Sequence, residues 1–264
     1  MKRDQIINTI QNVAENFDLV AKNTILNQNL EKHYNEIKTI IRLTDNRNNI
    51  KILDVGGGMG VNLLTLSKLK HGEEFRLIDR FDEYVIGTSM GTFNENSIER
   101  FKENNISFTN QDILTNTHLD CPNNYFDIVT IIDVIEHLQT NPNELLIEIY
   151  RVLKPNGVIY LSSPNLFGID EIANFLLGKH IYMKFNDWIK TNYFSHFREY
   201  TYGEHKKLLE ISGFVKIQTK FHEDTFWLRY KKGKKINALK YLFGFIVTKL
   251  FPFTKTSIVA IGYK

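Results

Sequence analysis

The stretch NNIKILDVGGGMGVNLLTLSK, residues 48–68, constrains the fold more than any other. A β-branched apolar run ends in Asp54 and Val55, then Gly56, Gly57, Gly58 and Gly60 follow, and from Val61 apolar residues recur at helical spacing. A strand that turns through glycines straight into a helix is the first half of a βαβ unit. Glycines there let the backbone take positive φ and approach a ligand without side-chain obstruction. Open parallel sheets bind ligands at the carboxyl ends of their strands, which is where this loop lies.

The rest of the chain repeats the alternation. Strands are expected at IKILDV, EFRLID, ISFTNQDI, FDIVTIIDV, VIYLSSP, VKIQTKF and SIVAIGYK. Helices are expected from Val61, at Ser97–Glu103, at Glu144–Leu153 before a KPNG turn, and in EHKKLLEISGF. The pattern predicts an α/β fold, doubly wound, with a mostly parallel seven-stranded sheet. Ahead of it, Ile6, Ile10, Val13 and Phe17, then Leu30, Tyr34, Ile37 and Ile41, recur at helical spacing. They predict an N-terminal helical cap over 1–47 on a domain of 48–264, and the periodicity breaks twice, predicting insertions at 166–194 and 225–256.

The loop excludes two common nucleotide sites. A P-loop needs Lys and then Ser or Thr after its last glycine, and here Met59, Gly60, Val61 and Asn62 follow Gly58. A dinucleotide fingerprint counted from Gly56 or Gly58 puts Val61 or Leu63 where its third glycine belongs. The remaining pattern, D-x-G-x-G-x-G, resembles the first motif of the class I S-adenosylmethionine-dependent methyltransferases. FDIVTIIDVIEHL resembles their fourth-strand motif, LLIEIYRVLKPNGVIYLSSPN their next helix, turn and strand, and HFREYTYGEHKKLLEISGF a late helix of the small-molecule O-methyltransferase branch, quinone-precursor or surface-carbohydrate type. The resemblance spans about residues 48–222 in the right order. It implies a Rossmann-like fold, S-adenosylmethionine as methyl donor and S-adenosylhomocysteine as product.

It also implies a cofactor surface built from Asp54, Gly56, Gly58, Gly60, Asp79, Arg80, Asp112, Ile113 and Asp133. Asp79 ends the second strand, where a carboxylate accepts both ribose hydroxyls. Asp112 follows the third strand, where the family meets the adenine amino group; the plainer reading is a turn cap. Gly57 exceeds the minimal pattern and reads as a relaxed turn.

For methyl transfer to an alcohol the protein must position the acceptor and remove a proton. DVIEH lacks the Asn- or Asp-Pro-Pro-aromatic tetrad suited to base amines, so oxygen is the expected acceptor atom. His137 and His196 are the candidate bases. Asp133, Glu136, His137 and His196 also resemble the metal set of certain RNA-end and quinol O-methyltransferases, but with Asp in place of their longer Glu, and no metal is expected. Phe167, Tyr182, Phe185, Trp188, Tyr193 and Phe194 in the first insertion suit a sugar or aromatic acceptor, or a satellite core. A small carbohydrate-type metabolite is the expected acceptor, with a quinone precursor or lipid-linked acceptor, or a non-catalytic cofactor-binding protein, as alternatives.

Charge is uneven: residues 225–264 hold nine Lys or Arg and no Asp or Glu, while the first 224 hold 24 basic against 30 acidic residues. The cluster Arg229, Lys231, Lys232, Lys234 and Lys235 adjoins an apolar stretch shorter than the ~20 residues of a bilayer span. Packing on the sheet, a lid or dimer element, and peripheral membrane or partner contact through 225–256 are its readings. The acidic remainder disfavours nucleic acid. A single cysteine, Cys121, reads as a spectator and gives no sign of an oxidising compartment, and the N-terminus lacks the apolar run of a signal peptide. A cytoplasmic location is expected.

Overall fold

In the computed structural model, the described residues are 1–45, 47–81, 93–179, 196–222 and 235–264, with the side chains of 235–241 excepted. Tyr182, Phe185, Trp188, Tyr193, Phe194, Arg229, Lys231, Lys232 and Lys234 lie outside them, as does the side chain of Lys235.

Strands β1 (Lys51–Val55) and β4 (Phe126–Ile132) are apolar along nearly their whole length and almost wholly buried. That is the signature of strands covered on both faces. With β2 (Glu74–Asp79), β3 (Ile106–Asn110), β5 (Leu153–Pro164), β6 (Val215–His222) and β7 (Ser257–Tyr263) they form a seven-stranded sheet of order β3-β2-β1-β4-β5-β7-β6, with only β7 antiparallel to its neighbours. The strand order reverses between β1 and β4, so the glycine loop opens at the switch point. β5 starts earlier than the expected Val158: Leu153 already pairs with Phe126, and Lys154–Gly157 form a bulge in the ladder.

The helices are α1 (Arg3–Ala14), α2 (Leu19–Asn23), α3 (Leu30–Thr44), α4 (Val61–Lys68), α5 (Glu95–Glu103), α6 (Asn143–Val152), α7 (Ile169–Leu176), α8 (Tyr202–Ile211) and α9 (Lys235–Leu250). A π-helical stretch, Thr24–Asn29, joins α2 to α3. Asp18 caps α2 through the Val20 and Ala21 amides, and Thr201 and Glu204 form a capping box on α8. Ile6, Ile10 and Val13 of α1 and Ile37 and Ile40 of α3 share one buried cluster with Ile52, Leu63 and Leu64. The cap therefore rests on α4, over the edge at which the glycine loop opens.

The segments expected as insertions follow β5 and β6, whose ends lie on that same edge. β5 ends at Pro164 opposite Ser257, where β7 starts, and His222 at the end of β6 faces Ser257 from the other side. Buried Asn165 joins their roots: its amide nitrogen donates to the Phe253 and Lys255 carbonyls (2.8 and 2.6 Å) and its backbone N–H to the Thr256 carbonyl.

Candidate active site

The glycine loop is shaped by two close approaches. Gly56 has φ +70°, and a Cβ there would lie 2.4 Å from a Val134 methyl; a Cβ on Gly57 would lie 2.2 Å from the Asp54 carboxylate. Gly57 is therefore required by proximity, not merely a relaxed turn. Gly58 and Gly60 also take positive φ, and Gly60 leads into α4.

Asp54 is buried and accepts the Thr130 hydroxyl (2.6 Å). Burial, with the negative charges of Glu36 and Asp79, pushes its pKa up to about 7. Asp79 is oriented by two amides, Gly58 N–H on one oxygen and Arg80 N–H on the other, each at 2.6 Å. The Arg80 guanidinium pairs with Asp112 at 3.1 Å, and the other Asp112 oxygen accepts the Leu114 amide. The turn-capping role of Asp112 is thus present alongside its place on the cavity wall. Asp54, Gly56, Gly57, Gly58, Asp79, Arg80 and Asp112, with buried Ile113 and partly exposed Asp133, line one cavity of about 580 Å³ at the strand ends, large enough for a nucleoside-sized ligand; Gly60 is not part of its lining.

One wall of that cavity comes from the helical cap, which the sequence reading did not assign to the site. Lys32 of α3 forms an ion pair with Asp133, a residue held at φ +52° just after β4. Burial opposes the Lys32 charge, but Asp133 and Glu36 hold its pKa above the usual range. Buried Glu36 accepts Asn62 (2.9 Å), while His33 Nδ1 is 2.9 Å from the Asn62 side-chain oxygen and 3.4 Å from Glu36. Burial alone would raise the Glu36 pKa, yet hydrogen bonding to His33 and the Lys32 charge bring it down to about 2. The sequence signal was available in Lys32 and Glu36, charged residues one turn apart on a helix with a strong apolar face.

Across the cavity, β4 runs into a short 3-10 turn, Ile135–His137, and His137 reaches the cavity wall. The Phe197 and Arg198 amides donate to the Glu136 carbonyl, bringing His196 against His137 with ring centroids 4.9 Å apart and planes at 76°. His196 Nδ1 meets Glu199, which is buried, at 2.9 Å. A carboxylate on Nδ1 selects the tautomer whose Nε2 carries the lone pair. The structure therefore brings the two candidate histidines together and adds Glu199, which the sequence reading did not single out.

Glu136 is fully buried and neither carboxylate oxygen has a hydrogen-bond partner among the described residues; burial and the nearby Asp133 charge put its pKa well above the ordinary range. Ligand atoms of Glu136, His137 and His196 lie within 4.8 Å of one another. Asp133, which completes the resemblance to a metal set in the sequence, is not in this group among the described residues and is instead paired with Lys32. One carboxylate and two imidazoles fit a transition-metal cation better than Mg²⁺, which prefers oxygen and water. Cys121 is buried, and burial raises its thiol pKa, in keeping with a spectator.

A model of the family described as "Methyltransferase domain" matches residues 29–219. A curated relative, the mitochondrial ubiquinone biosynthesis O-methyltransferase of Dictyostelium discoideum, is 23% identical over 133 residues, covering 50% of this chain and 41% of the relative. The matched stretch thus spans less than half of that protein's length. Among solved structures, a SAM-dependent methyltransferase from Archaeoglobus fulgidus is similar with a TM-score of 0.52 at 20% identity, covering 87% of this chain and 94% of that one. Phosphoethanolamine N-methyltransferase 2 of Haemonchus contortus, in complex with S-adenosyl-L-methionine, is similar with a TM-score of 0.59 at 15% identity, covering 96% of this chain and 57% of that one. With the matched region running from the cap helix α3 through the last parallel strand, the chain belongs to the SAM-dependent methyltransferase domain family.

Proposed function

We propose that this protein transfers a methyl group from S-adenosylmethionine to a hydroxyl oxygen of a small acceptor. The observation that carries the reading is the His137–His196 pair, with Glu199 on His196, beside a cavity lined by Asp79 and Asp112.

In this reading Asp79, fixed by two amides, accepts the ribose hydroxyls, and Asp112 with Ile113 receives the adenine. Lys32 and Asp133, paired across the wall, are charge-matched to the carboxylate and ammonium of the methionine end. The cofactor supplies a methyl carried on a sulfonium, so that as the acceptor oxygen bonds to the methyl carbon, the carbon–sulfur pair stays on sulfur and the thioether is released. His137 takes the hydroxyl proton, and His196, backed by Glu199, stabilises the resulting imidazolium. Were a transition-metal cation resident, Glu136, His137 and His196 would hold it and it would polarise the acceptor hydroxyl; no step above is routed through it.

For the acceptor, a carbohydrate-type metabolite such as a nucleotide-linked or phosphorylated sugar in surface polysaccharide synthesis is one class. A quinone-precursor or lipid-linked acceptor is the second, favoured by the ubiquinone O-methyltransferase relative and by the apolar surface beside the cavity. Calorimetry with S-adenosylhomocysteine followed by acceptor screening tests the proposal. Absence of binding by the folded protein overturns methyl transfer, and binding without turnover of either class leaves a cofactor-binding protein.

A further inference from the structure

The edge of the sheet that opens onto the cavity also carries the most apolar exposed surface among the described residues. At the end of α7, Phe175, Leu176 and Leu177 are 73%, 76% and 67% exposed in succession. No residue of α7 is buried, although the helix is strongly apolar. α9 packs against α7 and against the 252–254 turn. It exposes Phe243, Ile246 and Leu250 along one face, and Phe251 and Phe253 continue that surface beyond its end. Large neighbouring apolar side chains held in water mark a binding surface rather than a core.

Charge identifies the occupant. Exposed Lys179 follows the α7 tip, exposed Lys249 sits among the α9 apolar residues and Lys255 follows the Phe253 turn. The whole 225–264 segment holds nine basic and no acidic residues, whereas the remainder of the chain is net acidic. The acidic residues of α7, Asp170 and Glu171, are in its first turn, away from the tip. Bulky apolar groups ringed by lysine match the boundary of an anionic bilayer, where acyl chains take the apolar groups and headgroups the ammonium ions. No helix among the described residues is long and apolar enough to cross a membrane, so the contact is parallel to the surface.

We propose that the α7 tip and α9 dock on an anionic phospholipid bilayer, with the cavity edge of the sheet toward the lipid. The inference stands on surface residues alone and does not require the methyl-transfer reading.

The test is sedimentation with phosphatidylcholine vesicles with and without phosphatidylglycerol, starting at ~0.01 M ionic strength, where the Debye length is ~30 Å. The full chain sediments with the anionic vesicles, and the bound fraction falls as salt is raised. Replacing Phe175, Leu176 and Leu177 with Ser weakens binding about tenfold or more, and changing Lys249 and Lys255 to Gln does so by on the order of tenfold. Both variants keep the wild-type melting temperature and S-adenosylhomocysteine affinity. Should the first not fold, Phe243→Ser with Leu250→Ser carries the same test. Three results overturn the proposal: no sedimentation at low salt by protein that binds S-adenosylhomocysteine; equal binding to neutral vesicles; or a dimer in light scattering that the Ser substitutions dissolve, making the occupant a second copy. Vesicle binding without cofactor binding sinks the methyl-transfer reading and leaves this one intact.

Discussion

The two walls of the cavity treat their carboxylates differently. On the cofactor side Asp54 has Thr130, Asp79 has two amides, and Asp112 has Arg80 and an amide. On the proposed acceptor side, among the described residues, Glu136 leaves both oxygens without a hydrogen-bond partner, and Glu199 leaves one, though both are buried. A buried polar atom without a partner is costly; Glu36 of the cofactor side also leaves Oε1 unpaired among the described residues, so the two walls differ in degree, with Glu136, neither oxygen paired, carrying the largest unmet demand. In the proposed assignment the cofactor wall is the more nearly preformed of the two.

The largest effect that would break this contrast is on turnover. His137→Ala or His196→Ala lowers methyl transfer by about 10² or more while S-adenosylhomocysteine affinity, read by calorimetry, stays nearly unchanged. A comparable loss of cofactor affinity would show that the two walls are one site.

Next is pH, where two carboxylates of the cofactor side have opposite signs. Asp54, raised from 3.8 to about 7, makes the folded state hold more protons than the unfolded; its stabilisation is full below pH 3.8 and is lost as pH rises through about 7, by up to about 4 kcal/mol. Glu36, lowered from 4.5 to about 2, contributes stability above pH 4.5 that is lost as pH falls through about 2. In urea titrations, Asp54→Asn, which keeps an acceptor for Thr130, flattens the fall between pH 4 and 7, and Glu36→Gln flattens the acid limb. Unchanged slopes would refute the assigned protonation.

Asp79→Ala then weakens S-adenosylmethionine and S-adenosylhomocysteine binding by roughly 1.5 to 3 kcal/mol, the range for hydrogen bonds to a charged group. An unaffected affinity would move the ribose elsewhere on the wall. The smallest effect concerns metal: with His137 as base, chelation changes the rate by less than about twofold, whereas abolished activity restored by Mn²⁺ would assign Glu136, His137 and His196 to a cation.

The fold was legible because its strands advertise themselves. Buried parallel strands need continuous apolar runs, and IKILDV and FDIVTII are such runs; the glycines, Asp79 and Asp112 each follow a strand end, so topology alone put them on one edge. Lys32, Glu36 and Asn62 were only partly legible: the charged pair one turn apart marks a spot on α3, but a helical pattern does not say which cavity that face lines. The ion pair of Asp133 was hidden for the same reason: its partner, Lys32, lies 101 residues away in sequence. In the 225–256 segment the described side chains divide between an outward face, Phe243, Ile246 and Leu250, and a buried one with Gly244 and Thr248, so neither the packing nor the contact reading of it is excluded.

Asn165 joins the root of α7 to the segment between α9 and β7, and the next residue, Leu166, donates to the carbonyl of Tyr200, the neighbour of Glu199. The docking surface and the histidine pair thus hang from one knot of backbone bonds. On a bilayer, such a knot would set the height of the reacting centre above the headgroups. Acceptors would then be sorted by how far their hydroxyl stands out of the lipid, a selection by depth that two molecules of the same chemistry could pass or fail.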